Sequence, residues 1–175
     1  SIKAPTARKL IENVLDIHAK RELPEYTAKK FRTNAKVDES FAVKNGEKTS
    51  GKVGIYSTCY VNYNEPGIGH DLIEILKYNE IPTRLVEKEV CCGMPKLELG
   101  DLEAVEKLKN INIPNLAKLA RDGYSIIMSV PSCALMFKQE LPLMFPEDED
   151  VKLVADATFD PFEYLMLRNR DGLLK

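Results

Sequence analysis

Four short apolar runs alternate with stretches of helical periodicity, and this alternation limits the fold more than any other feature of the chain. The runs cover residues 52–57, 82–90, 124–130 and 151–155, and helical spacing occupies 66–79, 101–122, 134–141 and 161–170. Strands joined through a helix return to the same end of the sheet before starting again, so they pair in parallel. The predicted class is α/β: an open, mainly parallel four-stranded sheet with helices on both faces, of the Rossmann or flavodoxin-like kind. Pro66 and Pro161 suit first helical turns, and Gly123 suits a helix end. Pro114 predicts a break or kink in the second of these helices.

Two segments precede this core. Ala7, Leu10, Ile11, Val14, Leu15 and His18 share one face of a helix expected over residues 5–20, with His18 as a packing residue. Residues 21–51 lack periodicity, carry Lys29, Lys30, Arg32, Lys36, Lys44 and Lys48, and hold a turn at Asn45-Gly46. They read as an extended, solvated connector, with contact to a partner protein or a membrane surface as the alternative. The expected division is residues 1–51 as helix and arm, and 52–175 as the cysteine-bearing domain. The chain does not begin with Met, so it is expected to be a piece of a longer protein.

In parallel sheets the loops leaving the carboxyl ends of the strands form the binding crevice. Cys59 follows the first run, Cys91 and Cys92 the second, and Cys133 the third. All four cysteines of the chain thus fall on one sheet edge. Adjacent side chains on a strand point to opposite faces, so only a bent backbone turns both thiols of Cys91-Cys92 toward one object. Gly93 and Pro95 supply the bend.

Totals narrow the chemistry. With 44% hydrophobic and 30% charged residues and a net charge of −2, the chain is an ordinary globular one, without the basic excess that nucleic acid demands. No run approaches a membrane span, and no secretory signal is evident. Four cysteines in such a chain imply metal ligands or redox chemistry rather than a disulfide scaffold. Structural zinc sites use close C-x₂₋₄-C pairs. Here 31 residues separate Cys59 from the doublet and 40 separate the doublet from Cys133, which suits an iron–sulfur cluster better. Zinc, and a thiol–disulfide site without metal, remain as alternatives.

The Cys59…Cys91-Cys92-Gly93…Cys133 pattern resembles the cysteine-rich CCG domain family. That family includes a heterodisulfide reductase component, the iron–sulfur component of anaerobic glycerol-3-phosphate dehydrogenase, glycolate oxidase iron–sulfur proteins and lactate-utilisation proteins. Cys91-Cys92-Gly93-Met94-Pro95-Lys96 and Pro131-Ser132-Cys133-Ala134-Leu135-Met136-Phe137-Lys138 are most similar to the glycerol-3-phosphate dehydrogenase branch. The resemblance spans about residues 52–168. It implies a cluster, [4Fe–4S] with four ligands, held by Cys59, Cys91, Cys92 and Cys133. It also implies electron transfer between a flavoprotein dehydrogenase partner, or another redox subunit, and a quinone or other carrier. The expected location is the cytoplasm, with peripheral attachment at the inner face of the membrane through partner subunits. The chain itself is expected to be a non-catalytic subunit of an oxidoreductase. Three departures stand out: Met136 occupies the place of the family's fifth cysteine, the last gap is long, and only one copy of the pattern is present.

Other residues carry weaker expectations. His70 is read as a partly exposed helix-start histidine, with a ligand or proton-transfer role as the alternative. Lys96 and Lys138 flank the cysteine loops, where cations would lower thiol pKa values. Met136 is read equally as an apolar lid and as core. Tyr60 and Tyr63 stand close to Cys59. Asp156 and Asp160 are expected after the fourth strand, with helix capping the preferred role for Asp160. Gly67-Ile68-Gly69 is a faint echo of a dinucleotide fingerprint, lacking its third glycine because position 72 is Leu.

Overall fold

A computed structural model describes residues 4–21 and 25–175. Residues 1–3 of the N-terminal segment and 22–24 of the arm lie outside the described residues. The chain runs α1 (Pro5–Leu15), α2 (Phe31–Asn34), β1 (Val53–Tyr56), α3 (Cys59–Tyr63), α4 (Pro66–Tyr78), β2 (Thr83–Leu85), α5 (Met94–Glu98) and α6 (Leu102–Arg121). It continues with β3 (Ser125–Met128), α7 (Pro131–Leu135), a π-helical turn (Met136–Glu140), α8 (Leu141–Met144), α9 (Glu149–Ala157), β4 (Thr158–Phe159) and α10 (Pro161–Arg170).

The four strands form one sheet in the order β2-β1-β3-β4, every neighbouring pair parallel. The predicted fold class is therefore observed. Alternation along the strands sorts their side chains into two cores. Val53 and Ile55 of β1 and Ile127 of β3 meet Leu72 and Leu76 of α4 and Tyr164 of α10. Tyr56, Ile126 and Met128 turn to the other face, against Val105, Ile113 and Leu116 of α6 and Val151 and Val154 of α9. At Gly54 an added Cβ would lie 3.1 Å from Leu119, so β1 leaves little room there for a side chain.

Several elements differ from their sequence expectation. Residues 151–155 are helix, not strand. Val151 and Val154 lie three apart and are both fully buried, while Asp148 caps the helix by accepting from the N–H groups of Asp150 and Val151. The acidic turn is thus a helix start, and the strand is displaced to Thr158–Phe159. Asp156 accordingly sits within α9. Pro114 does not break α6, which is continuous over 20 residues. Ile113, Leu116 and Ala117 around the proline are all buried, and that packing outweighs the lost hydrogen bond. The second strand is confined to Thr83–Leu85.

The N-terminal segments differ more. Helix α1 stops at Leu15, where Asp16 adopts φ 53°, and it buries none of its residues. His18 is exposed, 4.0 Å from Glu12, and not a packing residue. The arm, read as a solvated connector, is instead docked. Phe31 is fully buried, its ring edge-on to His70, and the Asp38 carbonyl accepts from Thr83 N at 2.7 Å on the edge strand. Tyr164 donates to Ser50 O at 2.7 Å and buried Arg168 to Lys44 O at 3.0 Å. The Asn45-Gly46 turn is present, closed by Gly46 N to Thr49 O at 2.9 Å.

Candidate metal centre

The cysteines lie in the segments that follow three of the strands: Cys59 after β1, Cys91 and Cys92 beyond β2, and Cys133 beyond β3. Tyr56 closes β1, and Thr58 then takes φ 61° and ψ 156°, an unusual conformation for a β-branched residue. Its hydroxyl accepts from Val61 N at 3.2 Å, so the kink also caps α3, whose first residue is Cys59. After β2 the chain runs on to Cys91-Cys92 and turns at Gly93, φ 98°, into α5. After β3, Pro131 starts α7 and Cys133 lies in its first turn.

All four cysteines are free thiols. Their side chains interact in series: Cys59 with Cys91, Cys91 with Cys92, and Cys92 with Cys133. Exposure follows the same order, from exposed Cys59 through half-buried Cys91 to buried Cys92 and Cys133. Cys91 is the favoured thiolate. Hydrogen bonds from Cys59 and Cys92, helped by the Gly93 N–H, hold it far below the usual thiol range, at about 2. The thiols beside it are pushed the other way: Cys59 by its bond to Cys91 and by burial, Cys92 by its bonds to Cys133 and Cys91. Among the described residues, no three His, Cys, Asp or Glu side chains converge on a point suited to a single metal ion. The four thiols form a connected row whose ends, Cys59 and Cys133, also act on each other electrostatically.

A second layer, not foreseen from the sequence, fixes the Cys91 loop. Tyr56 is buried with its ring edge-on to Phe137, and its hydroxyl donates to Val90 O. Burial, followed by the charges of Cys92 and Glu89, raises its pKa strongly. Asn112, buried on α6, accepts from Val90 N at 3.0 Å and donates to Cys91 O at 3.1 Å. A buried amide among Ile113, Leu116 and Ala117 was the one sequence clue. Glu89 accepts from Ser57 N at 2.9 Å and pairs with Arg32 at 3.2 Å. Burial lifts its pKa despite that partner.

The weaker expectations resolve as follows. Met136 is fully buried and opens the π turn. A Cβ built on Gly93 would lie 3.5 Å from its terminal methyl, so Met136 is core that also lines the back of the doublet. Lys96 is engaged by Asp101 at 3.3 Å and Lys138 by Glu163 at 2.6 Å, so neither offers an unpaired charge. Tyr60 and Tyr63 are exposed, and His70 packs on Phe31. Asp160 caps α10, accepting from Phe162 N and Glu163 N. Gly69 accommodates Phe31 within α4, where a Cβ would lie 2.5 Å from its ring.

The chain is similar to one of the subunits of the anaerobic glycerol-3-phosphate dehydrogenase of Escherichia coli (strain K12), with 29% identity over 136 residues, 77% of this chain and 33% of that protein. It is similar to one of the subunits of the fumarate reductase (CoM/CoB) of Methanothermobacter marburgensis, 26% identical over 129 residues, 73% of this chain and 25% of that one. The lactate utilization protein of Bacillus thuringiensis (strain Al Hakam) is 28% identical over 119 residues, 66% of this chain and 48% of the other. The chain thus spans less than half the length of each of these relatives. No solved structure matches it. The family described as CCG, cysteine-rich domain, matches residues 53–138, a span that holds all four cysteines. Residues 53–138 of this chain are a CCG cysteine-rich domain.

Proposed function

We propose that Cys59, Cys91, Cys92 and Cys133 hold an iron–sulfur cluster, [4Fe–4S], and that the domain is an electron-transfer unit of an oxidoreductase. The observation that carries this reading is the row of four interacting thiols delivered by three parallel strands to one sheet edge. Thiolates are soft anionic donors of the kind that bind iron in such clusters. A cluster presents several iron atoms, so its ligands need not converge on one point, whereas a zinc ion requires four donors around a single centre. The names of the relatives, components of a dehydrogenase and of a reductase among them, support the redox assignment.

A bound cluster would supply a one-electron carrier. The protein's own residues do the rest. Cys91 is the thiol whose neighbours most favour the thiolate form, and Gly93 N–H bonds its sulfur; hydrogen bonds to sulfur are one means of setting a cluster's potential. Cys92 and Cys133 lie in the core formed with Met136 and Phe137, which keeps water from the inner half of the site. Cys59 at the exposed end leaves one side open for electron exchange with a partner. That partner is a flavoprotein dehydrogenase or another redox subunit, and the onward acceptor is a quinone or comparable carrier. The location that goes with such partners is the cytoplasm, with the inner face of the membrane reached through them. Among the described residues no helix is long and apolar enough to cross a membrane.

The test is the iron, sulfide and zinc content and the visible spectrum of protein purified without oxygen. About four irons and four sulfides per chain, with a broad brown absorption lost in Cys91→Ala, are expected. One zinc without iron would replace the reading with a structural zinc module. Neither metal under strict anaerobiosis would leave a dithiol site.

A further inference from the structure

The family match begins at residue 53, yet one side chain from the arm ahead of it reaches between the cysteine loops. Arg32 follows Phe31, whose ring is fully buried against Gly69 and His70, so the start of its side chain is fixed in place. Its backbone N–H donates to Asn62 Oδ1 of α3 at 3.0 Å. Its guanidinium then bridges two loops. Nη1 donates to Ser57 Oγ at 3.2 Å and pairs with Glu89 Oε2 at 3.2 Å, while Nη2 donates to Val86 O at 2.7 Å and Glu87 O at 3.3 Å. Glu89 closes the circuit by accepting from Ser57 N at 2.9 Å. Ser57 stands two residues before Cys59, and Glu89 two before Cys91.

We propose that Arg32 is a positioning residue of the cysteine site, setting the approach of the Cys59 loop to the Cys91 loop. A planar fork with several fixed donors can hold acceptors on both loops at once, whereas an ammonium cannot reproduce that geometry. Its charge is balanced by Glu89, a largely buried carboxylate at 9% side-chain exposure, so the clamp places no uncompensated ion beside the thiols. The inference rests on the iron–sulfur reading for what the site holds, but the approach of Cys59 to Cys91 is a property of the metal-free chain.

The test uses the full chain, reduced and metal-free. Diamide takes up both thiol hydrogens, and with them two electrons, as a Cys59–Cys91 disulfide forms, and peptide mapping follows that bond over time. Arg32→Met and Arg32→Lys are expected to slow its formation by about tenfold each, and Ser57→Ala by less. Leu76→Ala, a core truncation on the sheet face that carries no cysteine, controls for lost stability and should leave the rate unchanged. In iron-loaded protein both Arg32 variants should also shift the electron paramagnetic resonance spectrum of the reduced cluster. A wild-type rate in folded Arg32→Met would overturn the proposal. A wild-type rate in Arg32→Lys would reduce the residue to a charge and overturn the clamp. If Arg32→Met does not fold, Arg32→Lys and Ser57→Ala decide. Failure of the wild type to bind iron would remove the cluster reading while the disulfide rates still judged Arg32.

Discussion

Gly93 is the position at which backbone conformation and site chemistry meet most directly. Its φ of 98° belongs to the region that L side chains avoid, and its N–H bonds the Cys91 sulfur. Replacement by alanine keeps that N–H and adds one methyl. The methyl would sit 3.5 Å from the Met136 terminus, 3.6 Å from Leu108 Cδ1 and 3.9 Å from the Val105 backbone, all ordinary contacts. Steric overlap is therefore not the cost. The cost is the left-handed conformation, about 1–2 kcal/mol for a residue with a Cβ. With a urea slope of roughly 2 kcal/mol/M, the unfolding midpoint of the reduced, metal-free protein should fall by about 0.5–1 M at unchanged slope. Gly93→Asn separates the two causes, because asparagine is bulkier yet tolerates φ > 0 better, and it should lose less than alanine does. A Gly93→Ala loss below about 0.5 kcal/mol, or a larger loss for asparagine, would refute the conformational argument. A loss above about 4 kcal/mol would mean that the methyl does not fit after all.

Three further outcomes follow from the same geometry. Gly69→Ala places a Cβ 2.5 Å from the Phe31 ring. It should undock the arm at a cost of about 2–3 kcal/mol of lost Phe31 burial, seen as several-fold faster tryptic cleavage at Lys29 and Lys30. Asn112→Ala strands the Val90 N–H and removes the donor to Cys91 O. It should cost about 1–3 kcal/mol by denaturation and lower the iron retained after gel filtration. Asp148 has its carboxyl held below the usual range first by Lys109 at 2.8 Å. Its stabilisation is present above the unfolded value of about 3.9 and is lost as pH falls through the lower folded value. Thermal melts of Asp148→Asn should therefore show a flatter decline below about pH 4 than the wild type.

The sheet and its cysteine edge were legible because every segment leaving the carboxyl end of a parallel strand lies on one edge, whatever the exact strand lengths. Residues 53–56 and 125–128 are buried along their whole length and read as strands without ambiguity. Val151 to Ala155 did not, because five residues with a few apolar ones satisfy either period. The deciding information lay in the cap at Asp148, outside the run. Pro114 misled for a related reason, since a local rule about one hydrogen bond cannot register the buried faces on either side of it. The docking of the arm was illegible in a stronger sense. Nothing in the sequence sets Phe31 apart from Tyr26 and Phe41 in the same polar stretch, and the space that receives it is created by a glycine 38 residues away in sequence, as the numbering of Phe31 and Gly69 shows.

The cysteine doublet does something that two cysteines on separate elements could not. Adjacent residues in an extended loop point in different directions, and here one thiol meets Cys59 near solvent while the other meets Cys133 in the core. A single loop therefore spans the depth of the site, and its placement fixes both halves together. That places an unusual demand on the loop, since β2 before it has only three residues and lies at the sheet edge. The restraint comes instead from three directions: Tyr56 from β1, Asn112 from α6 and Arg32 from the arm each bind backbone atoms within residues 86–91. At the back, Met136 packs toward Gly93 where the family pattern would set a fifth cysteine. An apolar side chain there closes the inner wall and leaves the four-thiol row as the complete set of cysteines in the chain. Depth graded from Cys59 to Cys133 is thus a consequence of one doublet on one well-held loop, and any change that frees residues 86–91 should disturb the outer and inner thiols alike.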